Sequence, residues 1–162
     1  MEDYPNKTGI LRQHFKNFCT EYIRYSKNPI TLSLASENML DSLFMQRLSG
    51  NDLLPIIDSS HLLVETSYYI SPFHFKELLE QIMNKGYTLI LAHPERYLYM
   101  NESDYQQLKS INVQFQLNQF SLLCLYGKEV KKKALMLQKL RMYDYTGTDL
   151  HRLNTLNRAI CL

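Results

Sequence analysis

The segment from Tyr87 to Tyr97, Tyr-Thr-Leu-Ile-Leu-Ala-His-Pro-Glu-Arg-Tyr, constrains the fold of this chain more than any other stretch. Its apolar run, Leu89 to Ala92, is too short for a helix and is typical of a strand buried on both faces of a parallel sheet. Pro94 cannot continue a hydrogen-bonded ladder, so the strand has to end there. His93 and Arg96 therefore lie at the carboxyl end of a buried strand, where α/β enzymes carry their chemistry.

Composition places the chain among ordinary globular proteins. It has 162 residues, of which 45% are hydrophobic and 21% charged, and we expect one domain over residues 1–162. The net charge of +2 and the single basic run, Lys131 to Lys133, on a predicted helix face do not favour nucleic-acid binding. The sequence has neither a signal peptide nor an apolar run of about 18 residues, so we expect a cytoplasmic protein that is not embedded in a membrane.

The three cysteines do not indicate a disulfide framework or a zinc ribbon. Cys19, Cys124 and Cys161 are odd in number and unrelated in spacing, and we interpret them as core thiols. A cysteine-based phosphatase needs Cys-x5-Arg, but Tyr25 and Val130 stand at the required offset from the first two. That reaction class is therefore disfavoured.

Strands and helices are predicted to alternate five times along the chain, which indicates parallel βαβ units and an α/β fold. Strands are expected at 30–35, 61–65, 89–92, 113–118 and from 142 to the loop at 151. Helices are expected at 8–26, 39–48, from an N-cap at Ser71 with Pro72 in the first turn to 83, at 102–110, and at 121–140 with an interruption at Gly127.

The spacing of four polar residues is the strongest inference from the pattern alone. Glu37, Glu65 and His93 are each 28 residues apart, and Asp149 follows His93 by 56, which is twice that step. One βα unit fits in about 28 residues. These side chains are therefore predicted at the carboxyl ends of neighbouring parallel strands, on one rim of a barrel or crescent.

Such a rim suits divalent metals. Carboxylates, an imidazole and the Asp149-x-His151 pair are donors without a thiolate, which favours Zn, Mn or Fe over a structural zinc. Converging carboxylates repel one another unless cations lie between them, so two or more metals are expected. Metal clusters of this kind promote in-line displacement at phosphorus. Taken singly, however, Glu37 is equally explained as a helix cap, Glu65 as an ion-pair partner and Asp149 as a turn residue.

Five motifs in this order resemble one family. They are Ala-Ser-Glu37-Asn, Leu-Val-Glu65-Thr, Leu-Ala-His93-Pro-Glu-Arg96-Tyr, Gln-Leu-Asn118 with Ser121 after it, and Gly-Thr-Asp149-Leu-His151. The chain resembles the manganese-dependent protein-tyrosine phosphatases of bacterial capsular and exopolysaccharide clusters, which belong to the polymerase-and-histidinol-phosphatase (PHP) superfamily. The resemblance covers nearly the whole chain.

The resemblance implies a distorted (β/α)7 barrel with a centre of two to three metal ions, Mn²⁺ or else Zn²⁺ or Fe. It implies hydrolysis of phosphotyrosine on the tail of the tyrosine kinase that governs polysaccharide export. By motif matching, the metal ligands are Glu37, Glu65, His93, Asp149 and His151. Arg96 is implied as the catalytic phosphate-binding residue, with Asn118 as a second substrate-binding residue.

The amino end departs from the family pattern. Members of the family begin with a strand carrying His-x-His and a second strand ending in Thr-Pro-His, and neither motif is in this sequence. We therefore expect an incomplete barrel with about five parallel strands, lacking the first two at its amino end and slightly shortened at its carboxyl end. An incomplete barrel has low expected activity and an exposed strand edge, which allows pairing into a homo-oligomer.

Two alternative functions stay open from the sequence. The chain is either a catalytically inactive relative that binds the kinase tail or another partner, or a histidinol-phosphate-type phosphatase of the same superfamily. The Ala-His93-Pro-Glu-Arg96-Tyr motif resembles the tyrosine-phosphatase branch more closely than the histidinol-phosphatase branch.

Overall fold

Five parallel strands form one sheet in the computed structural model, which describes residues 7–56 and 60–160. The strands follow one another across the sheet in chain order, and each neighbouring pair is parallel. This arrangement confirms the predicted α/β class and the predicted number of parallel strands. The strands are β1 (Glu37–Met39), β2 (His61–Glu65), β3 (Thr88–Ala92), β4 (Gln114–Asn118) and β5 (Tyr145–Gly147).

Helices connect the strands, as parallel pairing requires. A turn of 3₁₀ helix, Pro94–Arg96, follows β3 directly. The α-helices of the described residues are α1 (Thr8–Tyr25), α2 (Phe44–Ser49), α3 (Phe75–Asn84), α4 (Glu102–Ser110), α5 (Gln119–Leu122), α6 (Lys128–Lys139) and α7 (Leu153–Ile160). None of those helices is long and apolar enough to cross a membrane.

The two faces of the sheet differ in chemistry. Val64, Leu91 and Phe115 are in register across β2, β3 and β4, and all three are fully buried in the main hydrophobic cluster with side chains from α2, α3, α4 and α6. The residues one step away point to the other face, because side chains alternate along a strand. That second face carries Glu37 and Glu65. Glu37 and Glu65 therefore share one face of the sheet, and the main hydrophobic cluster covers the other face.

The predicted strand at 30–35 is wrong, and β1 begins only at Glu37. Leu32 and Leu34 are half-buried while their neighbours are exposed, so the alternation in the sequence does report burial. The described residues offer this segment no ladder partner, and an extended segment without one is not a strand. Glu37 consequently stands at the start of its strand, whereas the spacing had predicted it at the end.

Two helices begin later than predicted. The Asp41 carboxylate accepts a hydrogen bond of 3.1 Å from the Leu43 N–H, which forms a turn and delays α2 to Phe44. Ser71 does not cap α3, which begins at Phe75 after His74 in the left-handed conformation at φ 52°. The predictions for β2, β3 and α4 match within a residue, and Gly127 separates α5 from α6 as expected.

The cysteine predictions have different outcomes, and part of what was expected falls on residues that the structure does not describe. Cys19 and Cys124 are free and only half-buried, so neither is the core thiol that we expected. Cys161 and residues 1–6, on which part of the expected amino-terminal truncation rests, lie outside the described residues.

Lys133 on α6 ties down the loop that follows the 3₁₀ turn. Its Nζ donates to three backbone carbonyls of that loop, those of Tyr97 at 2.8 Å, Leu98 at 3.2 Å and Met100 at 2.5 Å. Burial lowers the pKa of the Lys133 ammonium. One side chain thus satisfies three carbonyls that do not take part in a strand or helix.

We predict that Lys133→Met destabilises the chain by about 1.5 to 3 kcal/mol, because hydrogen bonds to a charged group are of that size and their carbonyl acceptors lose a donor. Urea denaturation measures the loss. Lys132→Met is the matched control, since Lys132 is exposed on the same helix and its replacement is expected to change stability by less than about 0.5 kcal/mol. Equal effects of the two substitutions would contradict the assignment.

Candidate metal centre

Glu37 of β1, Glu65 of β2 and His93, which directly follows β3, meet at one end of the sheet. The Nε2 atom of His93 lies 3.1 Å from a Glu37 oxygen and 3.6 Å from a Glu65 oxygen. His93 is 2% exposed and Glu65 is 5% exposed, while the side chain of Glu37 is 24% exposed. One ligand atom from each of the three lies within 4.8 Å of the other two, which is a suitable spacing for a shared metal ion.

The hydrogen bonding of His93 fits a metal ligand. Both ring nitrogens are buried, and neither makes a hydrogen bond of acceptable geometry with the described residues. The short distance from Nε2 to Glu37 is therefore proximity without a well-directed hydrogen bond. A buried polar group without a partner is costly, and a cation between Nε2 and the two carboxylates would satisfy all three groups. The donors present thus fit a divalent metal.

A second group shares Glu37 with the first. Glu37, Asp149 and His151 also bring one ligand atom each within 4.8 Å of one another. The Nδ1 atom of His151 lies 3.1 Å from an Asp149 carboxylate oxygen and 2.9 Å from the Asp149 carbonyl oxygen. The side chain of His151 is 73% exposed, so this group opens to solvent whereas the first group is enclosed.

Electrostatics within the cluster are unfavourable to three free carboxylates. Burial, which is the largest cause, and the neighbouring Glu37 carboxylate together raise the pKa of Glu65 to about 7, while His93 opposes the rise. Asp149 contributes a smaller like-charge effect on the same group. At neutral pH the cluster therefore favours binding either a proton or a cation.

Tyr97 fixes the ends of β2 and β3 relative to each other. Its side chain is fully buried, its Oη donates to the Ala92 carbonyl at 2.9 Å, and it accepts from the Thr66 N–H at 3.3 Å. Ala92 precedes His93 and Thr66 follows Glu65. One phenol therefore sets the separation of two of the candidate ligands.

Two candidate ligands adopt left-handed backbone conformations. His93 has φ 34° and Asp149 has φ 50°. Such values are uncommon outside glycine, and His93 precedes Pro94, which ordinarily favours an extended backbone. Strain of about 1 to 3 kcal/mol for each such residue persists only where the surroundings enforce it, and it is concentrated at functional sites.

Arg96 lies at the edge of the cluster. Its Nη1 donates to Asp149 Oδ2 at 2.8 Å, and its side chain is 16% exposed. The rings of Tyr68 and Tyr126 lie 4.2 and 4.4 Å from the guanidinium carbon. Arg96 therefore supplies a fixed positive charge where the carboxylates converge.

Asn118 and Glu95 hold the neighbouring loops. The Asn118 amide donates to Asp149 and to the Tyr126 hydroxyl, each at 3.3 Å, and its oxygen caps α5. Glu95 is fully buried and accepts from the Asn118 N–H, the Ser121 hydroxyl and the Tyr143 hydroxyl. A substrate contact by Asn118 stays a prediction, because its amide hydrogen bonds lead to Asp149 and Tyr126.

A cavity of about 420 Å³ opens over the cluster. Its walls include Leu11 of α1 and Leu34 as well as Glu37, Glu65, Arg96 and Asp149. A cavity lined by both apolar and charged side chains is typical of a small-molecule site. All five residues predicted as metal ligands, together with Arg96, are thus brought to one place.

A family model for capsular polysaccharide synthesis proteins of the CpsB/CapC type matches residues 3–160. The chain belongs to the CpsB/CapC family. That match covers nearly the whole sequence, including every candidate ligand.

This CpsB/CapC chain is similar to one curated protein and to one solved structure. It is 28% identical over 114 residues to the tyrosine-protein phosphatase YwqE of Bacillus subtilis (strain 168), a match that covers 69% of this chain and 45% of that protein. It also matches a chain from the crystal structures of YwqE from Bacillus subtilis and CpsB from Streptococcus pneumoniae, which are described as metal-dependent tyrosine phosphatases. That match has a TM-score of 0.83 and 24% identity and covers 94% of this chain and 62% of the other. The chain spans about half the length of the curated relative, and the structural likeness establishes the fold.

The sequence interpretation missed Tyr68, Tyr126 and Tyr143 as parts of the site. Twelve tyrosines are spread through the sequence, and nothing in the spacing of these three distinguishes them. A signal was present for Tyr68, which follows Glu65, the last residue of β2, by three residues.

We predict that Glu65→Gln stabilises the metal-free chain at pH 8 by about 1 to 3 kcal/mol. A carboxyl group whose folded pKa is raised above its unfolded value of 4.5 contributes its stability below pH 4.5 and loses it as the pH rises to about 7. The advantage of glutamine is therefore expected to shrink between pH 8 and pH 4.5. Denaturation curves in the presence of a chelator measure it.

The same variant is expected to lose most of the rise in melting temperature that Mn²⁺ gives the wild type, because glutamine is a weaker ligand. Glu80→Gln is the control, since Glu80 lies on the surface of α3 and pairs only with Lys76 at 3.8 Å among the described residues. A less stable Glu65→Gln chain at pH 8 would refute the explanation that burial and the Glu37 charge disfavour the ionised Glu65 carboxylate.

Proposed function

We propose that this chain is a metal-dependent phosphoric monoester hydrolase acting on phosphotyrosine. The observation that carries the proposal is the meeting of two ligand groups that share Glu37, with the guanidinium of Arg96 at their edge. Membership of a capsular polysaccharide synthesis family and the names of the relatives support the same activity. Because the chain spans about half of the curated relative, the activity of the whole relative is carried over only as a proposal.

The proposed ligands are Glu37, Glu65, His93, Asp149 and His151. Carboxylate and imidazole donors suit Mn²⁺, with Zn²⁺ or Fe as the alternatives, and two groups sharing one glutamate suit two ions. A third ion in the complete enzyme rests on the family resemblance. When bound, these ions supply an activated water and stabilise the charge that develops on the phosphoryl oxygens.

Arg96 is proposed to bind the phosphoryl group of the substrate. Its planar guanidinium can offer two parallel N–H donors to two phosphate oxygens, and the position at the cavity wall places those donors beside the carboxylate cluster. Asn118 is proposed to assist by holding Asp149 and, through it, the position of Arg96. Leu11 and Leu34 offer apolar surface for the aryl ring of the substrate.

The proposed physiological substrate is the phosphotyrosine-bearing tail of a bacterial tyrosine kinase that controls capsular or exopolysaccharide synthesis. Such a substrate places the enzyme in the cytoplasm. The cavity favours an aryl phosphate over phosphoserine, because Leu11 and Leu34 line it together with the charged groups and offer apolar surface to a tyrosyl ring.

We predict Mn²⁺-dependent release of phosphate from a phosphotyrosine peptide and little release from the matched phosphoserine peptide, measured with malachite green at high protein concentration. His93→Ala removes a ligand, so the amount of bound metal and the hydrolysis rate are expected to fall together. Metal per chain after dialysis gives the first quantity. Hydrolysis that persists at the wild-type rate in His93→Ala would show that the activity belongs to a contaminant or to another site.

Arg96→Ala is expected to fail differently from His93→Ala. It removes a charge-assisted contact worth about 1.5 to 3 kcal/mol, so kcat/KM should fall roughly tenfold to hundredfold with metal content unchanged. Arg96→Lys should recover only part of the loss, because an ammonium keeps the charge without the planar fork. If Arg96→Ala instead strips the metal, its main role is to hold Asp149, and the assignment to the substrate fails.

Retention of metal and of the phosphopeptide without hydrolysis would favour the alternative of an inactive binding protein. Hydrolysis of histidinol phosphate in preference to the peptide would favour the other phosphatase branch. Both comparisons use the same preparation and the same metal loading, so they separate the three functions directly.

A further inference from the structure

Two tyrosines from separate loops contact the same guanidinium group. Tyr68 follows β2, and Tyr126 lies in the turn between α5 and α6. Their ring centroids lie 4.2 and 4.4 Å from the guanidinium carbon of Arg96, well inside the distance at which a cation is attracted to an aromatic face. Loops separated in the chain by two strands and three α-helices thus converge on one cation.

Each ring is itself held in place. The Tyr68 ring stacks on the buried Tyr97 ring with centroids 6.2 Å apart and meets the His93 ring edge-on at 5.7 Å. The backbone carbonyl of Tyr68 accepts a hydrogen bond of 2.9 Å from the Leu98 N–H. The Tyr126 hydroxyl accepts from the Asn118 amide at 3.3 Å. Neither ring is therefore free to follow a moving arginine.

We infer that Tyr68 and Tyr126 are positioning residues that fix the plane of the Arg96 guanidinium for an incoming phosphate. Rings packed on a guanidinium leave its N–H donors directed along its edge, because those donors lie in the plane of the group. One edge atom, Nη1, already donates to Asp149. The two rings hold the remaining donors towards the cavity, so the fork is formed before the anion arrives. This inference rests on the proposed function for its catalytic meaning.

The first test reads the geometry without any activity. In the Zn²⁺-loaded protein, chosen because Mn²⁺ is paramagnetic, the Arg96 Nε–Hε signal is assigned by its loss in Arg96→Lys. Ring currents are expected to place it upfield of the other arginine signals. Tyr126→Leu should return it towards them, whereas Tyr126→Phe, which keeps the ring but loses the hydrogen bond from Asn118, should leave it upfield of them. A wild-type signal among those of the surface arginines overturns the inference.

The second test asks whether Tyr126 acts through Arg96. Calorimetry with inorganic phosphate is expected to show affinity weakened about 2- to 30-fold in Tyr126→Leu, the range that loss of one cation–π contact allows. In an Arg96→Ala background the same substitution should cause no further loss. Equal losses in both backgrounds would mean a purely structural role and would overturn the inference. Tyr69→Leu is the control, since Tyr69 is exposed on the same loop as Tyr68.

The two proposals fail separately. Coupling in phosphate affinity without hydrolysis of an aryl phosphate leaves the positioning role standing and refutes the phosphatase. Hydrolysis of the aryl phosphate without coupling in phosphate affinity would support the phosphatase and refute the positioning role. If Tyr126→Leu does not give a folded amide spectrum, Tyr68→Leu carries the same cycle, because its ring contacts the same guanidinium carbon.

Discussion

Repulsion between carboxylates held close together is the physical constraint on which this site depends. Glu37 and Glu65 both reach the Nε2 atom of His93, and Asp149 joins Glu37 in a second group. At an effective dielectric constant near 20, two like charges 4 Å apart repel by about 4 kcal/mol. Replacing one carboxylate by an amide would remove that cost. A cation bound between the carboxylates, as proposed above, would offset that repulsion.

The backbone around the cluster resists the relaxation that this repulsion favours. Tyr97 joins the ends of β2 and β3, and Lys133 holds the loop beyond it through three carbonyls. Glu95 ties the 3₁₀ turn to β4 and α5. These contacts enforce the left-handed conformation of His93, which an unrestrained chain would seldom adopt before a proline. The donors are thus arranged before a ligand arrives.

Local patterns in the sequence were enough to predict those parts of the fold in which burial and hydrogen bonding coincide. The run at 89–92 is buried along its length as β3. The 28-residue spacing predicted that Glu65 and His93 lie at one end of the sheet, and their side chains are 3.6 Å apart there. The strand predicted at 30–35 failed because alternation reports which side chains are covered and carries no information about a ladder partner. The contacts of Arg96 with Tyr68 and Tyr126 could not be predicted, because they depend on loops that meet only in the folded chain.

Asp149 links the proposed metal ligands to the proposed phosphate site. It accepts from Arg96 and Asn118, and it also belongs to the second ligand group. A cation bound there would draw charge from the carboxylate and weaken its attraction for Arg96. The guanidinium would then depend more on its aromatic neighbours to stay in place, and less on its ion pair. Binding of metal at the proposed site would in this way free the Nη1 donor of Arg96 for phosphate while the two rings keep the guanidinium in place.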